Sequence, residues 1–147
     1  MGKLIFIKGK PIGKGRPRFT KIGRVYTPKK TKDYEKSIAT AYVNEDGKYY
    51  EEGTPVHISL SAYFMTPKSY SKKLVRKLVK AFAWFLNKPD IDNIIKSVLD
   101  GLNNVAYHDD SQVCSIEASK HWTDDPEKEG LSIMVINADG GRNETDD

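Results

Sequence analysis

Residues 56–64, VHISLSAYF, do most to limit the folds open to this chain. Val56, Ile58, Leu60, Ala62 and Phe64 alternate with His57, Ser59, Ser61 and Tyr63. Successive side chains of a strand point to opposite faces, so this period of two predicts a half-buried strand whose apolar face must be covered. Helical periods on either side supply the cover. Tyr34, Ile38, Ala41 and Tyr42 recur at helix spacing within 31–44, ahead of Gly47. Ser71 is placed to cap a second helix with an apolar stripe of Leu74, Val75, Leu78, Val79 and Phe82, and a third helix is expected over about 92–104. Residues 3–8, 112–121 and 131–138 read as further strands, the last two joined by the polar turn TDDPEKEG. The whole is mixed α and β. There is no internal repeat and no second domain, so one domain is expected over 1–138, followed by an acidic, disordered tail over 139–147.

Several classes are excluded early. A chain of 147 residues can bury a real core, and no apolar run approaches the roughly 20 residues of a membrane span. The start, MGKLIFIKGK, lacks a secretory pattern. One cysteine, Cys114, rules out a disulfide framework and suits a reducing cytosol. His57, His108 and His121 lie too far apart for zinc spacing.

The formal charge of +4 hides a sharper pattern. Leaving out the tail, with its four acids and one arginine, 23 basic residues face 16 acidic ones, a net +7. Residues 8–32 contain ten Lys/Arg and no acid. Glycine, proline, Phe19 and Tyr26 alternate with those charges, which favours a shaped polyanion contact over a merely solvated loop. Lys10, Lys14, Arg16, Arg18, Lys21, Arg24, Lys29 and Lys30 are the expected DNA contacts, with Arg16 and Arg18 able to fork onto phosphates. The run GKPIGKG is no P-loop. It has one residue too few between its glycines and no Ser/Thr after the lysine, so no nucleotide cofactor is expected.

The run KPDIDN, 88–93, opens the third helix. On that helix Ile94, Ile95, Val98, Leu99 and Leu102 share one face, and Asp92, Lys96 and Asp100 follow at four-residue steps on the next. One reading is an N-cap followed by a ladder of ion pairs, each worth roughly 0.2–0.5 kcal/mol. The other is a metal site. If backbone stays extended after Pro89, Asp90 and Asp92 project to one side at the positive end of a helix, and a turn can bring Asp109-Asp110 back toward them. Converging carboxylates repel unless a cation joins them. EF-hand spacing is absent, since Ile95 stands where glycine is needed, and carboxylates with an open face suit Mg²⁺ or Mn²⁺ on a phosphate.

KPDIDNIIKSVLDGLNNVAYHDDSQV followed by Lys120, together with GKPIGKGRPRFTK and YTPKKT nearer the start, resembles the signature of the RusA family of Holliday junction resolvases. The resemblance implies a small α+β domain, a mixed β-sheet packed by about three helices, that forms a homodimer. It implies Mg²⁺-dependent endonuclease activity on four-way DNA junctions. Carried over by position, the metal-binding aspartates are Asp90, Asp92 and Asp110 and the catalytic lysine is Lys96; Asp100, Asp109 and Lys120 match supporting positions. These residue types suit phosphodiester hydrolysis, which needs an activated water and compensation of charge on the phosphate. His108 adjoins the doublet and is expected at the surface or behind the ligands. Apolar surface for a dimer is expected near Phe82, Trp84 and Phe85, or at a strand edge. Family members are often associated with phages and prophages, so a bacterial cytoplasm and a phage origin are compatible. Two other readings stay open: a non-catalytic basic protein that binds branched DNA, and a metal-dependent nuclease acting on flaps or forks.

Overall fold

A computed structural model describes residues 2–140 apart from Pro17 and Thr27, and for Arg18 and Tyr26 the backbone alone. Its elements run β1 (Leu4–Lys8), β2 (Arg18–Phe19), β3 (Val25–Tyr26), α1 (Lys29–Asn44), β4 (Val56–Met65), α2 (Lys72–Lys80), α3 (Ile91–Leu102), a 3₁₀ turn (Asp110–Gln112), β5 (Val113–Thr123) and β6 (Gly130–Asn137). The architecture is α+β, with a mixed four-stranded sheet and three helices.

The alternating strand β4 lies inside the sheet, whose order is β1-β6-β4-β5. β4 pairs antiparallel with β6, Leu60 opposite Ile133, and parallel with β5, Ala62 opposite Lys120. A parallel neighbour demands a long crossover, and α2 and α3 occupy it. The burial of β4 repeats strictly every second residue. Its buried side chains join Ile5 and Ile7 of β1, Leu131, Ile133 and Val135 of β6, and the apolar faces of α1 and α3 in one core. The helices α1 and α3 cross closely because α3 carries Gly101 at the crossing. A Cβ there would lie 2.9 Å from Ile38 Cβ and 3.0 Å from the Glu35 carbonyl oxygen.

Three departures from the expected elements matter. The basic block folds into a small hairpin, β2 paired with β3, which strands of two residues give too little periodicity to announce. Its turn is closed by Thr20 N–H on Arg24 O at 2.7 Å, with Gly23 at φ 81°. Helix α2 forms where expected, Ser71 Oγ accepting from Leu74 N–H at 3.1 Å, yet none of its residues is buried. Phe85, expected at the surface for a dimer, is instead in the core, its ring stacked 3.9 Å from that of Phe64. The out–in alternation of this segment turns Phe85 inward between exposed Trp84 and Leu86. Of the expected tail, Asp139 and Gly140 close a turn on Asn137, and 141–147 lie outside the described residues. Among the described residues no helix is long and apolar enough to cross a membrane.

Candidate active site

The loop into α3 is held from two directions. Lys120 of β5 donates to the carbonyl oxygens of Asn87 (2.9 Å) and Pro89 (3.0 Å), and its ammonium lies 5.4 Å from the Phe85 ring. The Lys88–Pro89 peptide is cis. From the other side, the N-terminal segment is strapped across the first turns of α3. Lys14 N–H donates to Asn93 O at 2.9 Å, and Ser97 Oγ donates to Ile12 O at 3.0 Å. Only glycine fits at 13, where a Cβ would stand 2.8 Å from Pro89 Cβ and 3.0 Å from Asn93 Cβ. Gly15 N–H then bonds Thr31 Oγ1 at 3.0 Å, tying the same strap to α1.

Asp90 takes the N-cap place of α3 in extended backbone (φ −68°, ψ 147°), and its carbonyl accepts from Asn93 and Ile94. Its carboxylate does no capping. Both of its oxygens accept instead from the Lys88 ammonium, at 2.8 and 2.9 Å. That hydrogen bond, with the charges of Lys88 and Lys120, holds the Asp90 carboxyl below its ordinary range against slight desolvation. Asp92 in the first turn and Lys96 one turn later are exposed.

The acidic doublet divides its labour. Asp109 caps the 3₁₀ turn, its Oδ2 accepting from Ser111 N–H at 3.0 Å. Hydrogen bonds from Ser111, with a smaller contribution from His108, lower its pKa. Gln112 completes the capping box and bolts the turn down. Its Oε1 accepts from His108 and Asp109 N–H, and its Nε2 donates to the carbonyls of Tyr50, Glu51 and Thr54. Asp110 is left exposed. Gln112 escaped the sequence reading, although Asp109-x-x-Gln112 is a legible capping-box pattern. Beneath the turn, Tyr107 is fully buried and donates to Leu99 O at 2.6 Å. Burial first, then the charges of Asp110, Asp100 and Asp109, raise its pKa.

Two expected site residues pair with each other. Lys14, expected on a phosphate, turns its ammonium to Asp100 and to Glu35, the latter at 3.1 Å. Burial works to lower its pKa, but the two carboxylates outweigh it and the net shift is upward. Asp100 is thereby a structural anion that anchors the strap. By contrast, Asp92, Lys96 and Asp110 enter no ion pair among the described residues, and neither do Lys10, Arg16, Lys21, Arg24, Lys29 and Lys30, all exposed. The side chain of Arg18 lies outside the described residues. His108 is at the surface, its backbone held by Gln112.

Among the described residues no three His, Cys, Asp or Glu side chains are gathered as a metal-holding group. Asp90 is turned to Lys88 and Asp109 to its own turn, so the expected cluster is not drawn together. The donor chemistry nonetheless fits a hard divalent cation. Asp92 and Asp110 are open oxygen donors, and the Lys88 ammonium, 84% exposed, shows that the Asp90 carboxylate receives a cation on both oxygens. An exposed pair of this kind is weak in water and readily exchanged.

The arrangement therefore offers one unpaired carboxylate, Asp92, and one unpaired lysine, Lys96, in the first turns of α3 among the described residues, with a basic segment hydrogen-bonded across those turns. Comparison with known proteins shows the family. A family model described as endodeoxyribonuclease RusA matches residues 8–135, which spans both the strap and the doublet. The uncharacterized protein YqaN of Bacillus subtilis (strain 168) is 34% identical over 137 residues, covering 90% of this chain and 95% of that protein. With the match running through every element that builds the site, the chain belongs to the RusA family of endodeoxyribonucleases.

Proposed function

We propose that this protein is a Mg²⁺-dependent endonuclease that resolves four-way DNA junctions by paired nicks, acting as a homodimer in a bacterial cytoplasm. The 1–138 region is the nuclease domain and 139–147 an acidic tail. The observation that carries the reading is the strap: the acid-free basic segment is hydrogen-bonded to the turn of α3 that bears Asp92. The chain segment that carries the basic block thus runs beside the turn that carries Asp92.

Asp90, Asp92 and Asp110 would hold the cation, with Mn²⁺ as a substitute; when bound it supplies a water of lowered pKa and offsets charge on the reacting phosphate. The chain's own residues prepare that ground. Lys120 pins the Asn87 and Pro89 carbonyls and so fixes where Asp90 starts. The exposed Lys88–Asp90 pair is weak in water, so Asp90 would be available to a divalent cation in its place. Lys96, one turn beyond Asp92, presents an unpaired ammonium to a phosphate oxygen or to the departing oxygen. Lys10, Arg16, Lys21, Arg24, Lys29 and Lys30 hold flanking phosphates. Two nicks in strands of like polarity call for two equivalent sites, which a two-fold dimer supplies. The β1 edge, where Leu4 and Phe6 are exposed, is the strand edge that serves this purpose.

The test is cleavage of a mobile-core four-way junction, a flap and plain duplex, in Mg²⁺ and in EDTA. Paired nicks in the junction, with Mg²⁺ only, support the proposal. Junction binding without cleavage in any divalent metal would make the protein a branched-DNA-binding module, and preferential flap cutting would make it a flap nuclease. Light scattering should give twice the 16.6 kDa chain mass.

A further inference from the structure

Each of the three helices ends on a residue in left-handed backbone. α1 uses Asp46 (φ 56°) and α3 uses Asn104 (φ 66°), residue types that tolerate this region. α2 uses Phe82, at φ 53°. Phe82 N–H donates to Val79 O (3.3 Å) and Ala83 N–H to Leu78 O (3.0 Å), the paired closure in which glycine is the usual occupant. The ring gains nothing from burial in return, being 83% exposed. Strain without packing reward is a signal of use elsewhere.

The next residues extend the pattern. Trp84 is 63% and Leu86 86% exposed, while Phe85 between them anchors the segment in the core. Trp84 bridges antiparallel to His121 and Phe85 N–H bonds Lys120 O at 3.2 Å, so the segment runs along the open edge of β5. Trp84 is six residues from Asp90 and therefore at most ~20 Å from it.

Charge narrows the occupant. Lys72, Lys73, Arg76, Lys77 and Lys80 are exposed on α2, the helix contains no acid, and none of the five enters an ion pair among the described residues. Asp124 is the acidic residue in the hollow that α2 borders. A second copy of this face would oppose five cations with five more. A polyanion bearing flat apolar groups satisfies both the cations and the rings, and unpaired bases beside phosphates are such a partner.

We infer that Phe82 and Trp84 form a stacking platform for bases unpaired at the branch point, with α2 gripping the adjoining phosphates. The inference rests on the junction-cleaving reading and adds to it the part of the protein that would distinguish a branch from plain duplex. The strap and hairpin would contact any duplex; this segment would contact only opened bases.

The test compares Phe82→Gly and the double variant Phe82→Gly/Trp84→Ala with the parent protein. Glycine relieves the left-handed backbone, so the single variant should melt about 3 °C higher. The double variant should bind a four-way junction about tenfold more weakly, which is about 1.4 kcal/mol, with plain-duplex affinity within twofold and light-scattering mass unchanged. Unchanged junction affinity, or an equal loss on duplex, overturns the platform. A halved mass overturns it too and makes the segment a subunit contact. If the parent protein shows no preference for junctions, the junction reading itself fails. The platform is then read on a single-stranded oligonucleotide, where the double variant must lose the same factor to survive.

Discussion

Helices α2 and α3 look alike as patterns and do opposite things. Both carry apolar residues at helical spacing opposite a charged face. α3 buries Ile94, Ser97, Val98, Gly101 and Leu102, while α2 buries no residue fully and leaves Val75, Leu78 and Val79 half-buried. The difference lies in what each meets. α3 crosses α1 at a glycine and sits over the core, whereas α2 packs beside the edge strand β5 with five cations on nine residues. An amphipathic period states that a helix has an apolar side and leaves open what will cover it. On α3 the cover is the protein's own core, so Asp92 and Lys96 project from a rigid rod. On α2 the cover is partial: Val75, Leu78 and Val79 are half-buried and Leu74 is exposed.

Four measurements break or sharpen that contrast. The largest effect is expected on cleavage. Asp92→Asn removes one charge from α3 while keeping a residue that tolerates a helix start, so nicking of a junction should fall on the order of a hundredfold or more with the melting temperature unchanged. If Asp92→Asn cuts at the parent rate, α3 is scaffold alone and the catalytic assignment is lost.

Next comes stability. Gly101→Val drives a side chain into Ile38 and the Glu35 carbonyl, and denaturant unfolding should show a loss of about 3 kcal/mol. A near-neutral result would mean that α1 and α3 do not cross as closely as described. A matched pair of truncations reads the two helices directly. Val98→Ala should cost roughly 2 kcal/mol, whereas Val79→Ala should stay within about 0.5 kcal/mol. Equal losses would show α2 covered in solution. The smallest effect concerns the strap at the start of α3. Arg16→Ala should lower the slope of log K against log salt for junction binding by about 0.9, the release of one phosphate contact. An unchanged slope would remove Arg16 from the DNA path.

Much of this protein follows from local chemistry. The strand at 56–64 and the three helices are set by periods of two and 3.6, which a chain obeys over a few residues, and the Ser71 cap needs only the backbone three residues on. The spacing of the PDxDN motif to Lys96 and Asp109-Asp110 likewise survives any detail of packing, which is why it carried the family resemblance. What the pattern could not decide is which charges are spent inside the fold. Lys14 and Asp100 lie 86 residues apart and meet through the crossing of the strap over α3. Lys120 reaches the Asn87 and Pro89 carbonyls because β5 runs parallel to β4, beside the loop into α3. Asp109 and Asp110 are identical neighbours, separated in role by a 3₁₀ turn that makes one a cap and leaves the other open. Propensity acts between residues one or two turns apart, whereas an ion pair or a carbonyl contact is chosen by whatever the sheet order brings within about 3 Å. The sheet order β1-β6-β4-β5 seats β5 beside β4 at the edge, and that placement is a property of the whole sheet that no local period encodes.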